Sequence, residues 1–311
     1  MWRTKPILAA VSITLIELAA CANVLELADN PQLVDTGPWR CVKTPLEPEP
    51  PAKDKALVRV HVCNFVSSNC SEAVTGLTAS LCNKRDVNCA DPIRKDIEQV
   101  AGDFSFPVPT GGDLGVGFDG YLQIRSATAL CTDESVFGPG AAMLCGLTAG
   151  CDPAKPDDRC RLPTYSPSML FFNPPVRADL AEPLLLPLIP TSAALSLTQA
   201  AGGDVDPTTG NVFITARDCD DKPAPGARFG MTSRNDDHVT ILYVSDGVIS
   251  NSAVATDESG IGGLLGVPAG FSSIAGFAGV DDSPEAKFGE IGVQVAPFTI
   301  TYATLAPAVT E

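Results

Sequence analysis

From Ala56 onward the chain alternates, with Val58, Val60 and Val62 at every second position and Arg59 and His61 between them. A period of two is that of a strand with one buried face. Further β-like stretches, broken by glycine and proline, carry Val108, Leu122 and Ile124. Ser168 to Val176 reads as a strand on Met169-Leu170-Phe171-Phe172, stopped by Pro174-Pro175, and Asn211 to Ala216, Thr240 to Val244 and Val293 to Tyr302 are strand candidates. Helix is expected only in short pieces. Pro92 to Val100 is predicted as one helical turn, and Ala181 to Ala201 as a connector in which Leu184-Leu185-Leu186 and Ser192 to Ala201 supply a short helix. The expected class is all-β, two tandem antiparallel β-sandwiches, and 45% hydrophobic with 19% charged residues suits two modest cores.

The apolar run from Ile7 to Ile16 has a different meaning. It follows Arg3 and Lys5 and is interrupted only by Ser12 and Thr14, the layout of a signal peptide. It is about half the ~20 residues that a permanent transmembrane helix needs. The run leads to Leu18-Ala19-Ala20-Cys21, which resembles the lipobox of bacterial lipoproteins, although Glu17 departs from an ideal apolar core. The resemblance implies cleavage after residue 20, a diacylglycerol on Cys21 and, because Ala22 rather than Asp follows, an outer-membrane destination in a Gram-negative envelope. The alternative is an ordinary secretory signal cut near Ala20. Both take the chain out of the cytoplasm.

Between the anchor and the first strand lie Pro31, Pro38, Pro45, Pro48, Pro50 and Pro51. Proline fixes φ and removes amide donors, so Thr44 to Ala52 is expected to be an extended spacer. Trp39 beside Cys41 is expected to dock on a domain instead of dangling.

A loose internal repeat runs through the remainder. Val60-His61-Val62-Cys63, Gly76-Leu77-Thr78 and Val108-Pro109-Thr110-Gly111 recur as Thr215-Ala216-Arg217-Asp218-Cys219, Gly226-Ala227-Arg228 and Val267-Pro268-Ala269-Gly270. The second copy also carries Val212-Phe213-Ile214, Pro223-Ala224-Pro225-Gly226-Ala227-Arg228-Phe229, Thr256-Asp257-Glu258-Ser259-Gly260 and Val267-Pro268-Ala269-Gly270-Phe271. These resemble the carboxypeptidase regulatory-like domain, which implies small transthyretin-like or Ig-like sandwiches. The expected layout is 1–20 signal peptide, 21–55 lipid-anchored proline-rich tether, 56–180 disulfide-rich sandwich, 181–203 connector and 204–306 regulatory-like sandwich.

Eleven cysteines less Cys21 leave ten, an even number. Cys63, Cys70, Cys82, Cys89, Cys131, Cys145, Cys151 and Cys160 crowd one segment, with Cys41 and Cys219 outside it. Such density fits an oxidising compartment. Zinc is disfavoured, because close pairs such as C-x2-C are absent and only His61 and His238 could add imidazole. Loop logic predicts Cys63–Cys70, Cys82–Cys89, Cys131–Cys160 with Cys145–Cys151 nested inside, and Cys41–Cys219. Without residues 1–20 the chain holds 19 basic against 36 acidic side chains, a net of −17. That argues against nucleic acid as a partner, and the acidity is read as solubility.

No catalytic constellation is expected. A metallocarboxypeptidase would need His-x-x-Glu, which neither histidine supplies. Gly270-Phe271-Ser272-Ser273-Ile274 lacks the final glycine of a nucleophile elbow. The adjacent pairs Asp220-Asp221, Asp236-Asp237 and Asp281-Asp282 point apart in a strand or face water in a turn, not across a glycosidic bond. Asp204 to Gly210 has the first acidic residues of a calcium loop without its late glutamate, and is read as a turn. The expected function is a non-catalytic envelope binding or scaffold module without cofactor or metal, its partner an envelope protein reached through the loop from Cys131 to Cys160. The leading alternative is glycan binding on Phe118, Asp119 and Tyr121, and the third is a cryptic hydrolase.

Overall fold

The structure is a computed structural model and describes residues 39–42, 54–65, 70–111, 117–138, 141–147, 151–200, 206, 208–233, 238–245, 248–278 and 286–307. Cys21, the signal segment and the spacer from Thr44 to Ala52 lie outside the described residues. Ten strands precede residue 200: β1 Lys55–Asn64, β2 Thr78–Asn83, β3 Arg94–Ile97, β4 Gln99–Val100, β5 Asp103–Pro109, β6 Gly120–Arg125, β7 Thr128–Leu130, β8 Arg161–Pro163, β9 Ser168–Phe171 and β10 Leu184–Leu188. Eight follow it: β11 Thr209–Ala216, β12 Ala227–Met231, β13 Thr240–Ser245, β14 Val248–Ser250, β15 Ile261–Pro268, β16 Gly270–Ala278, β17 Ala286–Val295 and β18 Ile300–Leu305. The chain is all-β, and its sheets pack as open sandwiches.

The sequence repeat has a topological counterpart. In the first half β1 pairs antiparallel with β5 and parallel with β10, and β5 continues to β4. In the second half β11 pairs antiparallel with β15 and parallel with β18, and β15 continues to β13. The Val-Pro ends match in register, Lys55 opposite Pro109 and Thr209 opposite Pro268. The facing sheets repeat as well, β9-β6-β2 in one half and β17-β16-β12 in the other. Gly76 and Gly226 each stand just before or at the entry to the strand that starts the facing sheet, with φ of +75° and +79°, a backbone region that a Cβ disfavours.

The halves are fused by one seam. β18 pairs in parallel with β9, Ile300 opposite Ser168 and Tyr302 opposite Leu170, so nine strands run as β14-β13-β15-β11-β18-β9-β6-β2-β3. The seam removes an unpaired edge from each half, and free edges are where sheets aggregate. Strictly antiparallel pairing, expected of two antiparallel sandwiches, gives way at three ladders: β1 with β10, β11 with β18, and β9 with β18. Alternation reports which face a residue occupies and carries no information about strand direction.

The four-stranded and three-stranded sheets lie on opposite faces of this central sheet. On one face Ala79, Leu81, Leu122 and Ile124 pack with Val58, Val60, Phe104 and Phe106 of the β10-β1-β5-β4 sheet. On the other, Tyr121, Met169, Phe171, Val212, Ile214, Ala303 and Leu305 pack with Phe229, Ile274, Phe288, Ile291 and Val293 of the β12-β16-β17 sheet. The strands β6 and β9 therefore bury both faces, and β6 has only Arg125 exposed. Where the first face passes into the second half it is covered by Ile189 and Ala194, the latter on the helix Thr191–Ala200, against Phe213, Leu242 and Leu265. Tyr302 joins the two clusters of this face, and its hydroxyl donates to the Pro187 carbonyl at 2.5 Å. Burial pushes its pKa up.

Three local expectations are corrected. The single strand expected over Val293 to Tyr302 is instead the end of β17 and the start of β18, with a turn at Pro297-Phe298 between them. Within residues 92–100 the chain forms β3 and β4, not a helical turn, because Ile93 and Val100 are exposed and only Ile97 is buried, which leaves no apolar stripe for a helix to bury. The segment satisfies its backbone on β2 and β5 instead. Leu184-Leu185-Leu186 is strand, since the free edge of β1 offers a parallel ladder that a leucine run accepts as readily as helix.

Candidate functional site

Between Ser126 and Tyr165 the chain leaves the sandwich as a ribbon. β7 and β8 pair only with each other, Thr128 opposite Pro163 and Leu130 opposite Arg161. Its base is fastened by the Ser126 hydroxyl, which accepts from the Tyr165 amide at 3.0 Å, and by the Thr191 hydroxyl, which donates to the Pro163 carbonyl at 2.6 Å. Above that base the side chains fold locally. Asp133 caps the short helix Glu134–Phe137 by accepting from the Ser135 amide at 3.0 Å, and Gly138 at φ +78° ends it. Asp157 accepts from the Arg159 amide and holds its guanidinium at 2.6 Å; those hydrogen bonds lower the Asp157 pKa.

The ribbon has its own apolar cluster of Cys131, Phe137, Ala141, Cys145, Cys160 and Leu162. Two bridges close it, Cys131–Cys145 and Cys151–Cys160. This corrects the expected nested pairing. The 3-10 segment Ala141–Leu147 returns Cys145 to Cys131, and turns at Asp152 and Asp157 bring Cys160 to Cys151. The other three bridges join the expected partners: Cys63–Cys70, Cys82–Cys89 and Cys41–Cys219.

Cys41–Cys219 sets where the tether meets the body. Trp39 lies 4.4 Å, centroid to centroid, from Phe288 and is buried with Val42 in the core of the second half. Arg40 donates to Asp220 beside the bridge. A segment that precedes the first strand is thus bonded across 178 positions to the loop after β11.

The aromatic patch expected for glycan does not form. Phe118 bridges to Val176 and is buried on one face of the central sheet. Tyr121 is fully buried on the other, stacked 4.9 Å from Phe171, with its hydroxyl donating to the Asp86 carbonyl at 2.6 Å. Burial pushes its pKa up to about 12. Only Asp119 reaches solvent, where Lys84 pairs with it at 3.0 Å. The reason is the strand period: residues three apart around the start of β6 cannot share one exposed face when both faces are covered.

A different polar group stands on the outer face of the β12-β16-β17 sheet, unmarked by any sequence motif. Glu290 accepts from Lys287, from Ser273 and from Thr232, whose hydroxyl lies at 2.6 Å. The Lys287 ammonium first, then the two hydroxyls, hold its pKa down at about 2. Lys287, Ser273, Thr232 and Glu290 thus form one hydrogen-bonded group on this face. Phe271, 56% exposed on β16, is one of the large apolar side chains left in solvent.

The remaining candidates resolve into local structure. Asp206 accepts from the amide and hydroxyl of Thr208 at 2.8 and 2.7 Å, the geometry of a turn. His61 contacts Asp103 through Nδ1, Asp220 pairs with Arg40, and Asp221 pairs with Arg217 at 3.6 Å. Among the described residues no helix is long and apolar enough to cross a membrane.

No family model and no curated protein matches the chain. Among solved structures, the shaft pilin of Lactobacillus rhamnosus GG is similar at 12% identity and a TM-score of 0.20, over 83% of this chain and 99% of that one. A streptococcal ancillary pilin has 12% identity and a TM-score of 0.20, over 82% and 69%. A major pilin of Streptococcus pyogenes has 10% identity and a TM-score of 0.18, over 82% and 99%. Similarity at that level carries no inference about this chain.

Proposed function

We propose that this chain is a non-catalytic lipoprotein of the outer membrane, held by a diacylglycerol on Cys21, that presents a binding ribbon to another envelope component. Its parts on this reading are the signal peptide 1–20, the tether 21–55, sandwiches at 56–180 and 204–306 of the carboxypeptidase regulatory-like kind, and the connector 181–203. The observation that carries it is the docked tether. Trp39 and Cys41 seat the anchored end on the second half, while the ribbon, with a separate core and two bridges, belongs to the first. A rigid scaffold that displays an excursion of this kind is the usual arrangement for recognition.

The test is growth with labelled palmitate followed by cross-linking on intact cells. Label on the wild type, absent from Cys21→Ala, is expected, together with a discrete cross-linked product that disappears when a short turn replaces residues 131–160. An unlabelled wild type overturns the anchor, and cross-links indifferent to the ribbon overturn its role. A glycan partner is the second reading, favoured by exposed Phe271 beside the Ser273, Thr232 and Glu290 group. Saturable binding on a glycan array, lost in Phe271→Ala, would select it.

A further inference from the structure

The four ribbon cysteines stand closer together than two separate bridges require. The sulfurs of Cys131, Cys145 and Cys151 all lie within 4.8 Å of one another, the first two as a bridge, and Cys160 joins them through its own bridge to Cys151. Cys131 Sγ and Cys151 Sγ, which belong to different bridges, are 3.6 Å apart. A zinc ion bound at about 2.3 Å by each of four thiolates in a tetrahedron puts neighbouring sulfurs about 3.8 Å apart. Cys131, Cys145 and Cys160 are buried and Cys151 is half-buried, with Phe137 and Leu162 as walls. Burial of that degree suits a structural site, in which four protein ligands fill the tetrahedron.

We propose that the ribbon is a redox-gated metal site, in which Cys131, Cys145, Cys151 and Cys160, once reduced, hold one zinc ion as a tetrathiolate. Each bridge takes two electrons and two protons from a dithiol reductant, which leaves as its own disulfide. Four thiols result. A divalent zinc ion then displaces four protons and binds four sulfurs, so that the ribbon is cross-linked in either state, by two covalent bridges or by one ion. The spacing along the chain, with no close cysteine pair, conceals the site because the 3-10 segment Ala141–Leu147 and the turns at Asp152 and Asp157 assemble it. The proposal is independent of the anchor and of the ribbon's partner.

The experiment uses the full chain, reduced with a dithiol, freed of reductant without air and titrated with cobalt as a spectroscopic stand-in for zinc. The visible bands of tetrahedral cobalt bound by four thiolates are expected in the wild type and in Cys63→Ser/Cys70→Ser, with loss in Cys145→Ser/Cys151→Ser. In case the latter variant misfolds, a second measurement uses the wild type alone: zinc added before alkylation should protect residues 131, 145, 151 and 160 and leave the other cysteines reactive. No cobalt bands in the reduced wild type, the same bands in Cys145→Ser/Cys151→Ser, or protection spread over all cysteines would each overturn the proposal.

Discussion

Tyr121 combines a ring that stacks on Phe171 with a hydroxyl that must find an acceptor away from water, and the Asp86 carbonyl provides it. Tyr121→Phe keeps the stack and leaves that carbonyl without its donor. Loss of about 1 kcal/mol is expected in a denaturant titration. The pH dependence follows from burial, which raises the pKa from the ordinary tyrosine value of 10 to about 12. The stability tied to the neutral phenol is complete below pH 10 and is lost as pH rises from 10 through 12, because the unfolded tyrosine ionises first. The Phe variant should lose less stability across that window, and an unchanged alkaline slope would remove Tyr121 as its source. Sequence indicated that Tyr121 is aromatic and next to a turn; it did not indicate that β6 is covered on both sides, which depends on a sheet contributed by residues 227–295.

At the scale of elements, the ribbon tests whether a satellite core is energetically separate. Among the described residues, Phe137 packs with the ribbon's bridges and not with the sandwich cores. A buried Phe→Ala change costs about 3–5 kcal/mol where the cavity weakens the whole fold. Here the cost should fall on a local opening, since regions with their own contacts open as units below the global transition. For Phe137→Ala, hydrogen exchange should accelerate across residues 128–163 while the midpoint of global unfolding stays in place. A shifted midpoint would show that the ribbon is coupled to the sandwich. The strands β1, β6, β9, β11 and β13 were legible as apolar alternation or short apolar runs. The strands β3, β4 and β10 were not, because weak or continuous apolar patterns suit several structures and the neighbouring edge decides among them.

At the scale of the molecule, Cys41–Cys219 joins the tether to the second half and bypasses everything between. Closing so long a loop should stabilise by about 5 kcal/mol on the chain-entropy account, so Cys41→Ser should lower the denaturant midpoint, with reduction of the wild type moving in the same direction. Force gives a sharper signature. Pulled between its ends, the oxidised chain should shield the 178-position span inside the bridge, whereas Cys41→Ser should release extra contour on the order of 500 Å, the four bridges inside the span still holding their own loops closed. Equal contour lengths would mean that the bridge does not form.

The division between sequence and tertiary structure follows from the range of each interaction. The β class, the positions of several strands, the repeat and three of the bridges were present in the order of residues, since the strand period, glycine at turns and short cysteine loops act over a few positions; Cys41–Cys219 followed from parity, with Trp39 as a local sign of docking. The seam of β9 with β18, the placement of the small sheets on opposite faces, the burial of Phe118 and Tyr121 and the pairing of Cys131 with Cys145 were decided in three dimensions. Each depends on which edge or face remains free once the rest has folded, and a local pattern holds no record of its distant partner.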